Sequence, residues 1–420
     1  MGGRTVLIVA LALFVGAVSA FVAQALLALI GLVTNLVFYQ RVATVLVAPG
    51  AIHHPAWLVV GAPVLGGLVV GLMARYGSEA IRGHGMPEAI EAILRGGSKI
   101  RPRVALLKPL SAALTIGTGG PFGAEGPIIM TGGAVGSLIA QTLSLTADER
   151  KTLLVAGAAA GMAATFNAPL ASILLAVELL LFEFRPRSFV PVAAAVAVAT
   201  ALRWHLLGPN AIFPNPHALP PLGAGVLALC AVAGLVGGFV AWLATTLVYL
   251  AEDAFKHLPL HWMWWPAIGG LIIGIGGLFE PRALGVGYDV IGDLLHQHIF
   301  WEAAIGILVV KAIIWVVALG SGTSGGVLAP LLMLGAGLGA VLGHVLPGGD
   351  PALWPLVCMS ATLGATLGAP LTAIVFAFGL THDSNALLPL LAATLIAHSF
   401  ATVVMKRSIM TEKIARRGYH

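Results

Sequence analysis

One carboxylate in this sequence stands where a carboxylate is hardest to keep. Glu125 lies in Gly123-Ala124-Glu125-Gly126-Pro127, immediately before an apolar run that begins at Ile128. An ionisable side chain set among apolar sequence is expensive and marks a functional site by default. Proline near a first turn is what a helix start favours. Such starts carry free N–H groups and a partial positive charge, so they bind anions without a full cation. A glutamate placed there competes with an anion while ionised and withdraws when protonated. That is the chemistry of a gate, and of proton–anion exchange. A first-turn glutamate can also do no more than cap its own helix.

Other chemistry-bearing patterns are sparse. Gly322-Thr323-Ser324-Gly325 matches the Gly-x-Ser-Gly of rhomboid intramembrane serine proteases, and His398 on a later apolar segment would complete a Ser–His dyad. Asn167-Ala168-Pro169 has the residues of an aquaporin motif in a different order, and the second half of the chain lacks the Asn. Cys230 and Cys358 sit in apolar runs and point to neither a disulfide framework nor a metal site. The sequence contains no zinc-protease motif and no phosphate-binding loop.

The elements that must position these residues are membrane helices. Hydrophobic residues fill 59% of the 420 positions and charged residues only 9%, where a soluble domain carries about 25% charged residues. The 53 glycines suit closely packed membrane helices, whose backbones approach through small residues. Apolar stretches at 5–39, 56–75, 104–118, 128–145, 152–183, 189–207, 223–251, 264–279, 302–320, 327–346, 353–381 and 386–405 fill most of the chain. Several reach the ~20 residues a span requires, and others are short or broken by Gly or Pro. Ala17-Val18-Ser19-Ala20 resembles a signal cleavage site, but the apolar run continues to Phe38, which reads as a retained helix. Of the net charge of +5, basic residues cluster at Arg82–Lys108 and Lys406–Arg417. The positive-inside rule puts both clusters, and both termini, on the cytoplasmic side. The basic tail reads as a solvated membrane exit, not as a nucleic-acid patch.

The two halves of the chain match each other. At an offset of 203, Lys108 falls on Lys311, Gly123 on Gly326, Pro127 on Pro330 and Met130 on Met333. At 202, Gly83 and Gly85 fall on Gly285 and Gly287; at 201, Ala168-Pro169-Leu170 falls on Ala369-Pro370-Leu371. Three blocks in one order indicate duplication: a first repeat over 1–207, a Pro/Gly-rich linker over 208–222 that includes Pro216, a second repeat over 223–405, and a basic segment over 406–420. The expected fold is an all-α integral membrane protein of two inverted-topology repeats with tilted and broken helices. In such proteins the substrate site lies between the repeats, where helix starts point at the ligand. The duplication also exposes an asymmetry: Leu328 stands where the first repeat has Glu125. It assigns the glycines around Ser324 to the repeat as well, which weakens the protease reading.

With these residues in hand, the sequence resembles the CLC family of chloride channels and proton-coupled chloride antiporters, from about residue 20 onward. Gly83-His84-Gly85-Met86-Pro87 is similar to the family's Gly-Ser-Gly-Ile-Pro. Gly123-Ala124-Glu125-Gly126-Pro127 is similar to Gly-Lys/Arg-Glu-Gly-Pro, and Gly326-Val327-Leu328-Ala329-Pro330 to Gly-x-Phe-x-Pro. The resemblance implies transport of chloride or a similar small anion, passively or in exchange for protons, by a homodimer with one pore per subunit. It implies no enzyme activity, no cofactor other than chloride as substrate, and a bacterial-type inner-membrane setting in the lipid bilayer; the cytoplasmic CBS domains that the family often carries are not expected in this chain. It implies that Glu125 is the gate, with anion contacts from His84, Gly85, Ala124, Gly126, Val327, Leu328 and Met410.

Three departures stand out. His84 replaces the usual Ser and can donate one N–H when neutral or two when charged. Met410 aligns with a usual Tyr and cannot donate a hydrogen bond. Leu179 falls where proton-coupled members commonly have a second Glu, and Glu178 next to it points ~100° away on a helix. Glu178 is expected to make a structural contact, and Glu183, one turn beyond, lies near the basic exit at Arg185 and Arg187.

Overall fold

A backbone in hydrocarbon must satisfy its own hydrogen bonds, so the apolar runs become helices. A computed structural model describes residues 3–214 and 218–418; Pro216 of the linker and the terminal residues 1, 2, 419 and 420 lie outside it. The first half contains α1 (Gly3–Tyr39), α2 (Ala56–Tyr76), α3 (Met86–Leu94), α4 (Pro102–Gly117), α5 (Glu125–Gln141), α6 (Ala147–Phe166), α7 (Pro169–Leu175) and α8 (Pro186–Leu206). The second half repeats this order with α9 (Ala224–Lys256), α10 (Trp265–Phe279), α11 (Tyr288–Leu295), α12 (Trp301–Gly320), α13 (Leu328–Val345), α14 (Leu353–Leu367), α15 (Pro370–Thr381) and α16 (Leu387–Val404). A short terminal α17 (Ile409–Arg416) follows. Among the described residues, eight helical segments are long and apolar enough to cross a membrane.

Two apolar runs that read as continuous are each divided. Asn167 (φ 53°) ends α6 and Gly368 (φ 74°) ends α14, both in the left-handed region that terminates helices. Pro169 and Pro370 then open α7 and α15. Past Leu175 the first of these continues as a π-helical stretch over Ala176–Leu181, a local widening that often accompanies functional positions. The short α3, α11 and α17 are absent from the apolar pattern because they are amphipathic and shorter than any span.

Glycine sets the spacing of the packed pairs. A Cβ on Gly136 of α5 would lie 2.0 Å from the Leu153 carbonyl oxygen of α6, and one on Gly339 of α13 would lie 2.2 Å from the Trp354 carbonyl oxygen of α14. These two glycines match at the 203-residue offset, so both halves use one close approach.

The buried lysines match too. Lys108 Nζ donates to the carbonyls of Ile81 (2.8 Å) and Gly83 (2.7 Å). Lys311 Nζ donates to those of Ala283 (3.0 Å) and Gly285 (2.9 Å). Each cation fixes the Gly-x-Gly loop of its own half.

Gly136→Ala and Gly339→Ala should each destabilise the protein by about 1–3 kcal/mol through overpacking. Gly61→Ala, where nothing lies within 4 Å of the added atom, should have little effect. Thermal midpoints in detergent check this, and equal midpoints for all three would contradict the packing account.

Candidate functional site

The site is assembled from helix starts and the loops before them. Gly83 (φ 93°) and Gly85 (φ 92°) turn the chain into α3 in a conformation that L side chains rarely adopt. A Cβ on Gly85 would lie 2.4 Å from the Gly126 carbonyl oxygen, and one on Gly126 would lie 1.7 Å from that of His84. The His84 loop and the start of α5 therefore touch backbone to backbone.

Hydrogen bonds tie the halves together at the same level. Gly123 N–H donates to Gly326 O (3.2 Å) and Gly326 N–H to Gly123 O (2.9 Å). Gly83 N–H donates to Thr323 O (2.9 Å), and Gly285 N–H to Gly119 O (3.0 Å). Each Gly-x-Gly loop is thus anchored to the pre-helix loop of the other half.

Within this frame Glu125 does not cap its own helix alone. It is wholly buried, and Oε1 accepts from the N–H groups of Leu328 (2.5 Å) and Ala329 (3.3 Å) at the start of α13. Oε2 has no hydrogen-bond partner among the described residues. The two residues that the repeat pairs, Glu125 and Leu328, are in direct contact. A carboxylate occupies the free N–H groups that a helix start offers an anion. Val327, Leu328, Ala124 and Gly126 are all buried around it.

His84 is 3% exposed, and its Nδ1 has no partner among the described residues. Met410 is buried at the start of α17. Its thioether cannot donate, and the polar contact beside it comes from Tyr249 of α9, whose hydroxyl donates to the Ile409 carbonyl. α17 is held from two sides: Lys413 pairs with Glu252 (2.6 Å) and Arg416 with Asp253 (2.6 Å) on α9, and Arg417 pairs with Glu88 (2.6 Å) and Glu91 on α3. Glu88 in turn accepts from Gly85 N–H (2.8 Å), so the clamp reaches the site loop. Burial alone would raise the Glu88 carboxyl, but Arg417 and the neighbouring cations hold it down at about 2. This linkage between residues 88 and 417 has no signature in the sequence.

Glu178 makes the contact expected of a structural residue. It accepts from Thr372 N–H (2.8 Å), Thr372 Oγ1 (2.6 Å) and Leu371 N–H (3.3 Å) at the start of α15. A first-half carboxylate therefore sits on a second-half helix start twice, at Glu125 and at Glu178. Leu179, on the π-helical turn, is 7% exposed. Glu183 accepts from Ser188 Oγ (2.7 Å) and pairs with Arg185 (3.3 Å).

The protease dyad does not form. Ser324 Oγ accepts from Ser111 Oγ (3.0 Å), within the loop bridged to Gly83, and no hydrogen bond joins it to His398 among the described residues. No group of His, Cys, Asp and Glu among the described residues could hold a metal.

The profile of the voltage-gated chloride channel family matches residues 65–402. A ClcB-like chloride channel protein of Ralstonia nicotianae is 30% identical, over 86% of this chain and 86% of its own. The voltage-gated ClC-type chloride channel ClcB of Salmonella typhimurium is 32% identical, over 69% of this chain and 70% of its own. Among solved structures, a slow cyanobacterial Cl⁻/H⁺ antiporter superposes with a TM-score of 0.87 at 23% identity, covering 99% of this chain and 98% of its own. A CLC-type fluoride/proton antiporter superposes with a TM-score of 0.81 at 20% identity, covering 98% of each chain.

Replacing Arg417 with Ala should loosen α17 and the Gly85 loop together through Glu88. Hydrogen exchange should speed up over 409–416 and at Gly85 while α13 stays protected. Faster exchange confined to α17 would contradict the linkage.

Proposed function

The chain belongs to the voltage-gated chloride channel family, a family of anion transporters and not of enzymes, and on that premise we propose that Glu125 gates its anion pathway. One observation carries the proposal: the Glu125 carboxylate lies on the N–H groups of Leu328 and Ala329. A helix start presents unsatisfied donors and a positive dipole end, so a carboxylate and a chloride ion seek the same place. Ionised Glu125 occupies it. Protonation removes the charge that holds the side chain there, the carboxyl swings away, and an anion takes the vacated donors.

The remaining anion contacts are proposed along the same line. Val327, Leu328 and Ala329 supply backbone donors from the second half; Ala124 and Gly126 supply backbone from the first, and Gly85, whose N–H is held by Glu88, lines the site with its loop. His84 supplies an imidazole N–H in place of a hydroxyl, and Met410 forms an apolar wall at the position of a donor. Chloride is the substrate, and no cofactor enters this scheme. We assign the basic face to the cytoplasm with both termini, the lipid setting to a bacterial inner membrane, and the working unit to a homodimer.

Passive conduction has specific support as a second reading. Leu179 cannot carry a proton, and Glu178 is committed to the start of α15. Liposomes with an imposed chloride gradient separate the two: uphill proton movement driven by chloride establishes exchange, and its absence establishes a channel.

Under either reading, Glu125→Gln should abolish the pH dependence of chloride flux, because an amide cannot titrate. Flux in the variant should match the low-pH rate of the parent protein. An unchanged pH profile would exclude Glu125 as the gate.

A further inference from the structure

On the basic face, below the Gly83 loop, lies a cavity of about 890 Å³, within the ~300–1,000 Å³ of small-molecule sites. Eight Lys and Arg side chains line it against four Glu. Every one of those carboxylates already has a cation: Glu79 pairs with Arg82 (3.1 Å), Glu88 and Glu91 with Arg417, and Glu252 with Lys413 (2.6 Å). Lys99 and Arg101, on the approach to α4, have no carboxylate within ion-pair distance among the described residues. The cavity thus holds an uncompensated positive charge in a concave space, where low-dielectric walls concentrate the field.

Arg82 gives the cavity a built recognition element. Its guanidinium lies 4.4 Å from the Trp262 ring centroid and 5.7 Å from that of Trp265. Its Nε is buried without an acceptor among the described residues. A guanidinium held against indole rings is pre-oriented, and guanidinium N–H groups match phosphate oxygens. A monovalent halide engages one or two donors at a time. An ion with several charged oxygens engages more than one cation of the lining at once.

We propose that this cavity binds a soluble polyvalent phosphate anion, through Arg82, Lys99 and Arg101, distinct from the transported ion. The cavity reaches Gly83 and Gly322, and Gly83 adjoins His84 of the gate loop. An occupant there stands across the basic mouth of the pathway and obstructs it. The obstruction rests on the Glu125 pathway proposed above; the binding does not.

The test titrates inorganic pyrophosphate into the protein in phosphatidylcholine nanodiscs by calorimetry. Saturable binding at one site per chain is expected, weakened about tenfold or more in Lys99→Gln/Arg101→Gln through loss of charge-assisted contacts. Glu125→Gln should bind as the parent protein does, so failure of the gating reading leaves this result intact. Absence of binding, or equal binding by the double variant, would overturn the site. Liposome chloride efflux with pyrophosphate applied to one face at a time then reads the obstruction: slowing from one face only, relieved in the double variant, is expected. Slowing from both faces alike, or persisting in the double variant, would overturn it.

Discussion

A helix that starts inside a membrane presents N–H groups that no water can satisfy, and here a carboxylate from the opposite half satisfies them. The contact between Glu125 and the start of α13 sets the demands on everything around it. It requires the pre-helix loops of both halves to meet, which the paired hydrogen bonds between Gly123 and Gly326 accomplish. It also requires backbone close enough that only glycine fits, as at Gly85 and Gly126. The arrangement lets helix dipoles and backbone N–H groups compensate a carboxylate.

The full cations serve a different purpose. Among the described residues neither Lys108 nor Lys311 has a carboxylate within ion-pair distance; both gather loop carbonyls and hold the Gly-x-Gly turns in place. Duplication supplied one such lysine per half, and the 203-residue offset preserves it. Glu125 faces Leu328, and a residue pair that is symmetric in sequence becomes a donor–acceptor pair in space.

Much of this was legible in the sequence for physical reasons. Long apolar runs announce spans, and matched Gly, Pro and Lys positions announce a repeat, because each residue type answers a local backbone demand. The asymmetry of Glu125 against Leu328 was visible for the same reason. What stayed hidden depends on contacts between distant segments. α3 and α17 carry no apolar run, and the Arg417–Glu88 pair spans 329 residues of sequence. The break at Asn167 was masked by apolar sequence on both sides. Met410 looked like a plain loss of a donor; the structure adds Tyr249, which donates to the neighbouring Ile409 carbonyl from α9.

The central claim is that carboxylate and anion compete for one set of donors. Anomalous diffraction from crystals grown in bromide tests it most directly, comparing the parent protein with Glu125→Ala at a pH where Glu125 is ionised. The account predicts a bromide peak at the N–H groups of Leu328 and Ala329 in the variant and none there in the parent. A bromide at those donors with the Glu125 carboxylate still in place, or none in the variant, would contradict it.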